Sequence, residues 1–560
     1  MKLTKNAGII LKRFLIRDEK GKIIENPEQL FQRIAKNIAK EDRKYRQDTK
    51  KSEKEFFAIM NNKEFMPNLP TIANAGKRLQ QLEACFVIPV PDDMAGIFQA
   101  VKDLAIIQKT GGGTGFSFSR LRPEGEFVKD TGGVASGPVS FMRVFDAATG
   151  AIKEGGIRRG ANMGILRIDH PDIEKFITAK AKGEFANFNI SVALTDEFMN
   201  AVENNKFFNL RFQNKTYKKI KARKLFDLIT KNAWFNGDPG IIFIDEINKY
   251  NPTPEIGEIE ATNPCGEQPL LPYESCVLGS INLAKFCENN DINYRRLEKA
   301  INTSVHFLDN SIDATVYPVK EIEKIVKRNR KIGLGVMGFA DLLILLKIPY
   351  DSYPALELAE KIMRFIKEKS EKASENLANI RGSFPNISKS IFKGKQRRNA
   401  TITTIAPTGT IAIFADCSPG IEPLFNLIFQ RNSTYGRLYE INSMFRETAK
   451  KYKLSKATLD RIASQGSLKK IKLPKEIKKI FRVSHDIPPE WHVRIQAAFQ
   501  KYTDNAVSKT VNLPNHATVS DIKKIYLLAH KLKSKGLTVY RYNSRKQQIL
   551  EMCKECKPLF

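Results

Sequence analysis

Residues 263 to 267 read Asn-Pro-Cys-Gly-Glu inside the stretch "EIEATNPCGEQPLLPYESCVLGSINLAKF", and Cys276 follows Cys265 by eleven positions. Asn, Pro and Gly each favour a turn for backbone reasons, so a loop with an incidental thiol accounts for the pentapeptide taken alone. The wider cysteine usage argues for chemistry. Seven cysteines in 560 residues are too sparse, and odd in number, for a secreted disulfide framework, which points to reduced thiols. Cys85 in "LEACFVIP", Cys265 and Cys276 each sit beside a strand-like run, so a closed α/β scaffold would bring all three together. Cys85 and Cys276 read equally well as small buried hydrophobes, the commonest fate of a free cysteine. Cys553 and Cys556 form the chain's C-x-x-C on a polar, charged stretch. No second pair and no histidine pair at zinc spacing accompanies it, so a dithiol that carries electrons by exchange fits better than a zinc site.

The elements that must position these thiols are marked by glycine and proline. "KTGGGTGFSFSRLRPEG" (109–125) packs four glycines into "GGGTG", where close backbone approach or positive φ would demand them. "GGIRRGANMG" (155–164) sets two arginines between glycine clusters, as in a loop that grasps an anion or a base. "ATITTIAPTGTIAIFADCSPGIEP" (400–423) reads as a strand, a turn and the start of a helix. Unpaired N–H groups at that start, beside the Thr408 and Thr410 hydroxyls, make a diphosphate site without a Walker lysine. "GLGVMG" (333–338) matches G-x-G-x-x-G, but it follows the basic helical pattern "IVKRNRK", so a helix-packing role is expected.

Around these motifs, residues 24 to 63 carry apolar residues at helical spacing among charges. From "FMPNLPTIANAG" to about residue 430, β-branched runs such as "ISVAL" and "GIIFI" alternate with helical segments, the pattern of an α/β scaffold. Residues 430 to 520 are more helical and lysine-rich before a last strand in "LTVYRYN". The N-terminal apolar run is too short and too charged for a signal segment, and the chain has no apolar run of spanning length, so a cytoplasmic protein without membrane contact is expected. Lys and Arg exceed Asp and Glu by 31, which favours anionic partners such as nucleotides or nucleic acid.

In this order, "PNLPTIANAG", "ACFVIPVPDD", "GGGTGFSFSRLRP", "GGIRRGANMGIL", "ATNPCGEQPL", "RKIGLGVMGFADLL" and "APTGTIAIFADCSPGIEP" resemble the large catalytic subunit of ribonucleotide reductases, most closely the adenosylcobalamin-dependent class II. The resemblance implies a ten-stranded α/β barrel with a central finger loop at 65–543. A short helical region at 1–64, without an ATP cone, would precede it, and a redox tail at 544–560 would follow. Class II is favoured because Tyr540 and Tyr542 are not adjacent, as the radical-passing pair of the oxygen-dependent class would be. The glycine motif and four-cysteine zinc site of the anaerobic class are also missing. A class I-like subunit that needs a radical-generating partner is the alternative. A nucleic-acid-binding protein, motivated by charge alone, would leave the cysteines unexplained.

Carried over by position, the resemblance implies that Cys265 is a thiyl radical that takes the ribose 3′-hydrogen. Glu267 would accept the 3′-hydroxyl proton, Asn263 would hydrogen-bond the sugar, and Cys85 would protonate the departing 2′-hydroxyl. Cys85 and Cys276 would end as a disulfide that Cys553 or Cys556 reduces. Substrate would be held by Thr71, Ala84, Gly113, Pro407, Thr408, Gly409, Thr410 and Ile411. A deoxynucleotide or ATP effector would meet Asp92, Lys109 and Arg122, with Arg158, Arg159 and Asn162 in the specificity loop. The implied cofactor is adenosylcobalamin, with no resident metal site. A thioredoxin-like or glutaredoxin-like reductant and a second copy of the chain are the implied partners.

Overall fold

The computed structural model describes residues 3–128, 132–154, 158–433, 436–545 and 550–552. Its central sheet has ten strands. In chain order they are β1 (Phe65–Pro67), β2 (Cys85–Val87), β3 (Gly113–Ser117), β4 (Asn162–Arg167), β5 (Phe188–Leu194), β6 (Gly240–Phe243), β7 (Ser275–Asn282), β8 (Ile332–Met337), β9 (Thr510–Leu513) and β10 (Gly536–Arg541). Strands β2 to β6 pair in succession and in parallel. In the second run, β7 pairs with β8 and β9 with β10, again in parallel. The two runs meet antiparallel, at β6 with β10 and at β7 with β2.

Segment 401–405 closes the ring. Thr403 bridges Leu334 of β8, and Ile405 bridges Val507 just before β9. Closure joins the two runs into a ring, which removes the free edges an open sheet would present there. Parallel neighbours need a crossover connection, and helices such as Met94–Lys109, Pro138–Ala151 and Val519–Lys531 supply it. Covered on both faces, the strands read as continuous apolar runs: every residue of β7 and β8 is buried.

"GLGVMG" is a point of correction. Residues Ile332–Met337 are strand β8, and the basic helix Lys320–Asn329 precedes them. Its glycines serve strand approach instead of helix packing, since a Cβ at Gly335 would stand 2.4 Å from the Thr404 carbonyl oxygen. The lysine-rich stretch likewise hides β9 and the hairpin Ile428–Ser433 with Gly436–Ile441, because these strands are short and carry polar residues such as Thr510, Asn512, Arg431 and Glu440.

The N-terminal helices Pro27–Ala39 and Thr49–Asn61 start on side-chain caps, Asn26 in a capping box with Gln29, and Asp48. Leu30, Phe31, Ile34 and Ile38 bury one face of the first, each contributing about 1.5–3 kcal/mol by burial. Phe56 packs edge-on against Phe307 of the long helix Tyr294–Ala314. A buried ionic network crosses the same junction. Asp309 accepts from Arg330 at 2.9 Å, Arg381 at 2.8 Å, Arg398 at 3.2 Å and Asn399 at 3.1 Å, while Arg381 also reaches Asp42 at 2.6 Å. Among the described residues, no helix is long and apolar enough to cross a membrane.

Candidate active site

The segment around Cys265 is a hairpin whose base is the short pair Ala261–Thr262 with Pro269–Leu270. At its head the Gln268 N–H donates to Asn263 Oδ1 at 3.0 Å and the Gly266 N–H to the Asn263 carbonyl at 3.1 Å. Gly266 supplies the positive φ, 82°, that the bend requires. Both halves of the barrel hold this loop. From β5, Asn189 Nδ2 donates to the Pro264 carbonyl at 2.9 Å. From the other half, the Thr404 hydroxyl and the Ala506 N–H both donate to the Glu267 carbonyl at 2.9 Å. The loop therefore spans the barrel interior and presents Cys265 at its exposed tip.

The glycines of "GGGTG" make room for this loop. A Cβ on Gly115 would fall 1.7 Å from the Thr262 carbonyl oxygen, and one on Gly113 3.0 Å from the Pro264 ring. The close approach is thus by the chain's own backbone. Gly115→Ala is expected to displace the loop, cut turnover at least about tenfold and destabilise the fold by about 1–3 kcal/mol through overpacking. Thermal unfolding beside a turnover assay checks it, and a variant that matches the parent in both would refute this account of the glycine.

Cys85 and Cys276 are direct register partners on β2 and β7, both buried. Asn263 Nδ2 lies 3.0 Å from Cys85 Sγ, which ties the finger loop to this pair. Burial, then Glu267, Cys276 and Cys265 nearby, push the Cys85 thiol well above its ordinary pKa. Burial, then Glu83, does the same for Cys276. Both sulfurs are held as S–H, the form that can donate hydrogen.

Glu267 is buried, and burial raises its carboxyl to about 7 against the opposing hydrogen bond with Asn263. Its Oε2 has no hydrogen-bond partner among the described residues, an orphan that a bound hydroxyl would satisfy. A carboxyl poised near neutrality beside a thiol tip has the properties of a general base.

The Pro407–Ile411 turn enters the helix Ile411–Ala415. Thr408 takes a left-handed φ of 53°, uncommon for a β-branched residue, and its hydroxyl accepts from the Gly420 N–H at 2.7 Å. Thr71 is buried, its N–H capped by Asn68 and its hydroxyl given to the Leu82 carbonyl at 3.1 Å. Ala84 flanks Cys85 and packs against the cluster of Cys85, Cys276, Leu278 and Ala406.

The expected effector residues are only partly assembled. Arg122 binds Asp92 through its backbone N–H at 3.0 Å and its Nε at 2.8 Å. Lys109 stands at the far end of the helix Met94–Lys109, on the order of 20 Å from Asp92 at 1.5 Å rise per residue. The backbones of Arg158 and Arg159 pair with Glu154 and Lys153. Asn162 is buried, and its amide is taken up by Gln108, Thr114 and Thr149, so it positions the loop against β3 instead of facing a ligand. Cys553 and Cys556 lie outside the described residues.

A cavity of about 1,100 Å³ opens beside the turn, lined by Gly409, Glu422, Tyr540 and six asparagines: Asn6, Asn61, Asn62, Asn426, Asn442 and Asn512. Motif reading did not single out the six asparagines, nor Asn189 and Ala506, because these residues are scattered along the chain outside the quoted motifs; Thr404 and Glu422 lie within the 400–423 motif but had no role assigned.

A closed barrel of two antiparallel strand runs, with a cysteine-tipped hairpin pinned across it, defines the class of scaffold. Comparison with known proteins gives the family. The description "Ribonucleotide reductase, barrel domain" matches residues 83–397 and 392–540, and "Ribonucleotide reductase, all-alpha domain" matches residues 1–80. A protein of Thermoplasma acidophilum named vitamin B12-dependent ribonucleoside-diphosphate reductase is 46% identical, over 98% of this chain and 80% of its own length. A Mycobacterium tuberculosis protein of the same name is also 46% identical, over 98% and 81%. A solved structure, the Actinobacillus ureae class Id ribonucleotide reductase alpha subunit, shares the fold with a TM-score of 0.81 at 22% identity, covering 97% of both chains. This chain belongs to the ribonucleotide reductase family.

Proposed function

We propose that the chain reduces ribonucleotides, diphosphates in particular, to 2′-deoxyribonucleotides, with adenosylcobalamin as its cofactor. The observation that carries this reading is the meeting of Cys265, Asn263, Glu267, Cys85 and Cys276 inside one barrel. The relatives' printed names support the diphosphate substrate and the cofactor.

The residues lining the large cavity suit that cofactor. A corrin carries a periphery of amides, and the six asparagines offer matching donors and acceptors. Asn61 Oδ1 and Asn426 Nδ2 are buried without partners among the described residues, the state expected of groups that a bound amide satisfies. When bound, the cofactor supplies a one-electron oxidant by homolysis of its cobalt–carbon bond.

The chain's residues then divide the work. Cys265, as a thiyl radical, takes the 3′-hydrogen while the Glu267 carboxylate accepts the 3′-hydroxyl proton and Asn263 fixes the sugar. Cys85 protonates the 2′-hydroxyl, which leaves as water. The two electrons come from Cys85 and Cys276, which close to a disulfide: one thiol hydrogen leaves in the water, the other goes to C2′, and Cys265 and Glu267 return the 3′-hydrogen and the 3′-hydroxyl proton. Cys553 and Cys556 then reopen the disulfide by exchange with a dithiol reductant. The Pro407–Ile411 turn, with Thr71, Ala84 and Gly113, holds the diphosphate end. Asp92 and Arg122 anchor an effector, and the 155–164 loop carries its identity toward the base.

Adenosylcobalamin, a dithiol and a ribonucleoside diphosphate should yield deoxyribonucleotide with no second subunit. Product that appears only with a metal-containing small subunit would overturn the cofactor assignment. Glu267→Gln is expected to lower kcat by about 10²–10⁴-fold. In the parent, kcat should rise with pH through about 7 as Glu267 ionises. The stability effect has the opposite sign. A carboxyl raised on folding holds a proton that the unfolded chain releases, so its contribution is full below about pH 4 and lost as pH climbs through about 7. At pH 8, Glu267→Gln should therefore be the more stable protein by about 1–3 kcal/mol, read from denaturant midpoints. A flat pH–rate profile across pH 6–8 would remove Glu267 as the base.

A further inference from the structure

Glu422 turns a carboxylate to the large cavity from the barrel side, and the protein holds that charge in place. Lys509, whose side chain is fully buried, gives its three ammonium protons to three acceptors: Glu422 Oε2, His492 Nδ1 at 3.1 Å and the Thr510 carbonyl at 3.0 Å. The Thr510 N–H donates to Glu422 Oε1 at 2.9 Å. His492 is itself buried, with Nε2 3.3 Å from the Ser484 carbonyl, so its accepting nitrogen is the one facing Lys509. Every donor of the ammonium is used, which fixes the orientation of the Glu422 side chain while leaving it 22% exposed.

The cavity walls differ in chemistry. Asn6, Asn61 and Asn62 enter from the N-terminal region, while Glu422 is tied through Lys509 and Thr510 to the start of β9. Amide ligands are served by the asparagines. A fixed carboxylate repels phosphate and is a poor partner for an amide oxygen, so its complement is a hydroxyl or N–H donor. We propose that Glu422 is the hydroxyl-binding residue of this cavity, accepting hydrogen bonds from the ribose of the cofactor's adenosyl group. The inference rests on the cavity being the adenosylcobalamin site. The adenosyl face must look toward the barrel, where Cys265 is to be oxidised; Asp341, Asp416 and Glu440 also line the cavity, but Glu422 is the one tied to the start of β9.

Absorbance titration of the full chain without substrate tests it, using adenosylcobalamin, an analogue lacking the ribose hydroxyls, and hydroxocobalamin. The parent should bind adenosylcobalamin about tenfold more tightly than the analogue, the worth of one charge-assisted hydrogen bond. Glu422→Gln should lose that difference and keep the parent's affinity for hydroxocobalamin. Equal binding of the two adenosyl compounds by the parent overturns the proposal, even if the variant fails to fold. An equal loss for all three cobalamins in Glu422→Gln also overturns it, since the residue then only shapes the wall. A parent that binds no cobalamin sinks the cofactor reading itself, which distinguishes that failure from this one.

Discussion

Cys265→Ser is expected to reduce ribonucleotide turnover by at least about 10⁴-fold while leaving the fold and nucleotide binding intact. An alcohol O–H bond is much stronger than a thiol S–H bond, so serine does not become the hydrogen-abstracting radical even though it fits the space. Cys265 stands at an exposed hairpin tip, and the hairpin is held by backbone groups of Asn263, Pro264 and Glu267 that the substitution leaves alone. Stability should therefore move by no more than about 0.5 kcal/mol. Product chromatography, calorimetric nucleotide titration and thermal unfolding read the three quantities. Turnover within a factor of about ten of the parent would refute the radical assignment.

Asp309→Ala is expected to be the most damaging change away from the site, costing about 3–5 kcal/mol. Its two carboxylate oxygens neutralise Arg330, Arg381 and Arg398 in a region closed to water, and alanine would leave the three guanidiniums buried against too little negative charge. Burial alone would raise the Asp309 pKa, but these arginines outweigh it and hold the carboxyl well below its usual range. Asp42 behaves alike: burial raises it, and His306, Ser52 and Asn310 together bring it down to about 2. Both carboxylates have depressed folded pKa values. They bind fewer protons in the native state, so their stabilisation is present above about pH 4 and lost as pH falls toward 2. Guanidinium midpoints at pH 7 and at about pH 2 check both parts, and a variant within about 1 kcal/mol of the parent at pH 7 would show that the network is dispensable.

The candidate site residues were legible because they are local in sequence. Asn263, Cys265 and Glu267 sit on one hairpin whose turn residues, Pro264 and Gly266, are themselves the signal. Helical caps such as Asn26 with Gln29 were legible for the same reason. "GLGVMG" misled because three glycines in six residues weaken strand propensity, while the approach of Thr404 that requires Gly335 lies 69 residues away in the chain (404 − 335). Lys109 and Asn162 carried the right residue types, but helix length separates the first from Asp92, and internal hydrogen bonds consume the second.

The amino-acid sequence by itself determined which groups are available: three thiols beside strands, a carboxylate two residues from one of them, and glycines wherever backbone would pass close. Tertiary structure decided what those groups are. Closure of the barrel set Cys85 against Cys276 in register and buried both as thiols. The same closure moved the Glu267 carboxyl to about 7, and made "GGGTG" the bed of the finger loop. The physical reason is that burial, dielectric environment and close contact are properties of neighbours in space. In this fold, those neighbours come from β2, β5, β7 and the segments at 404 and 506, which no sequence window contains together.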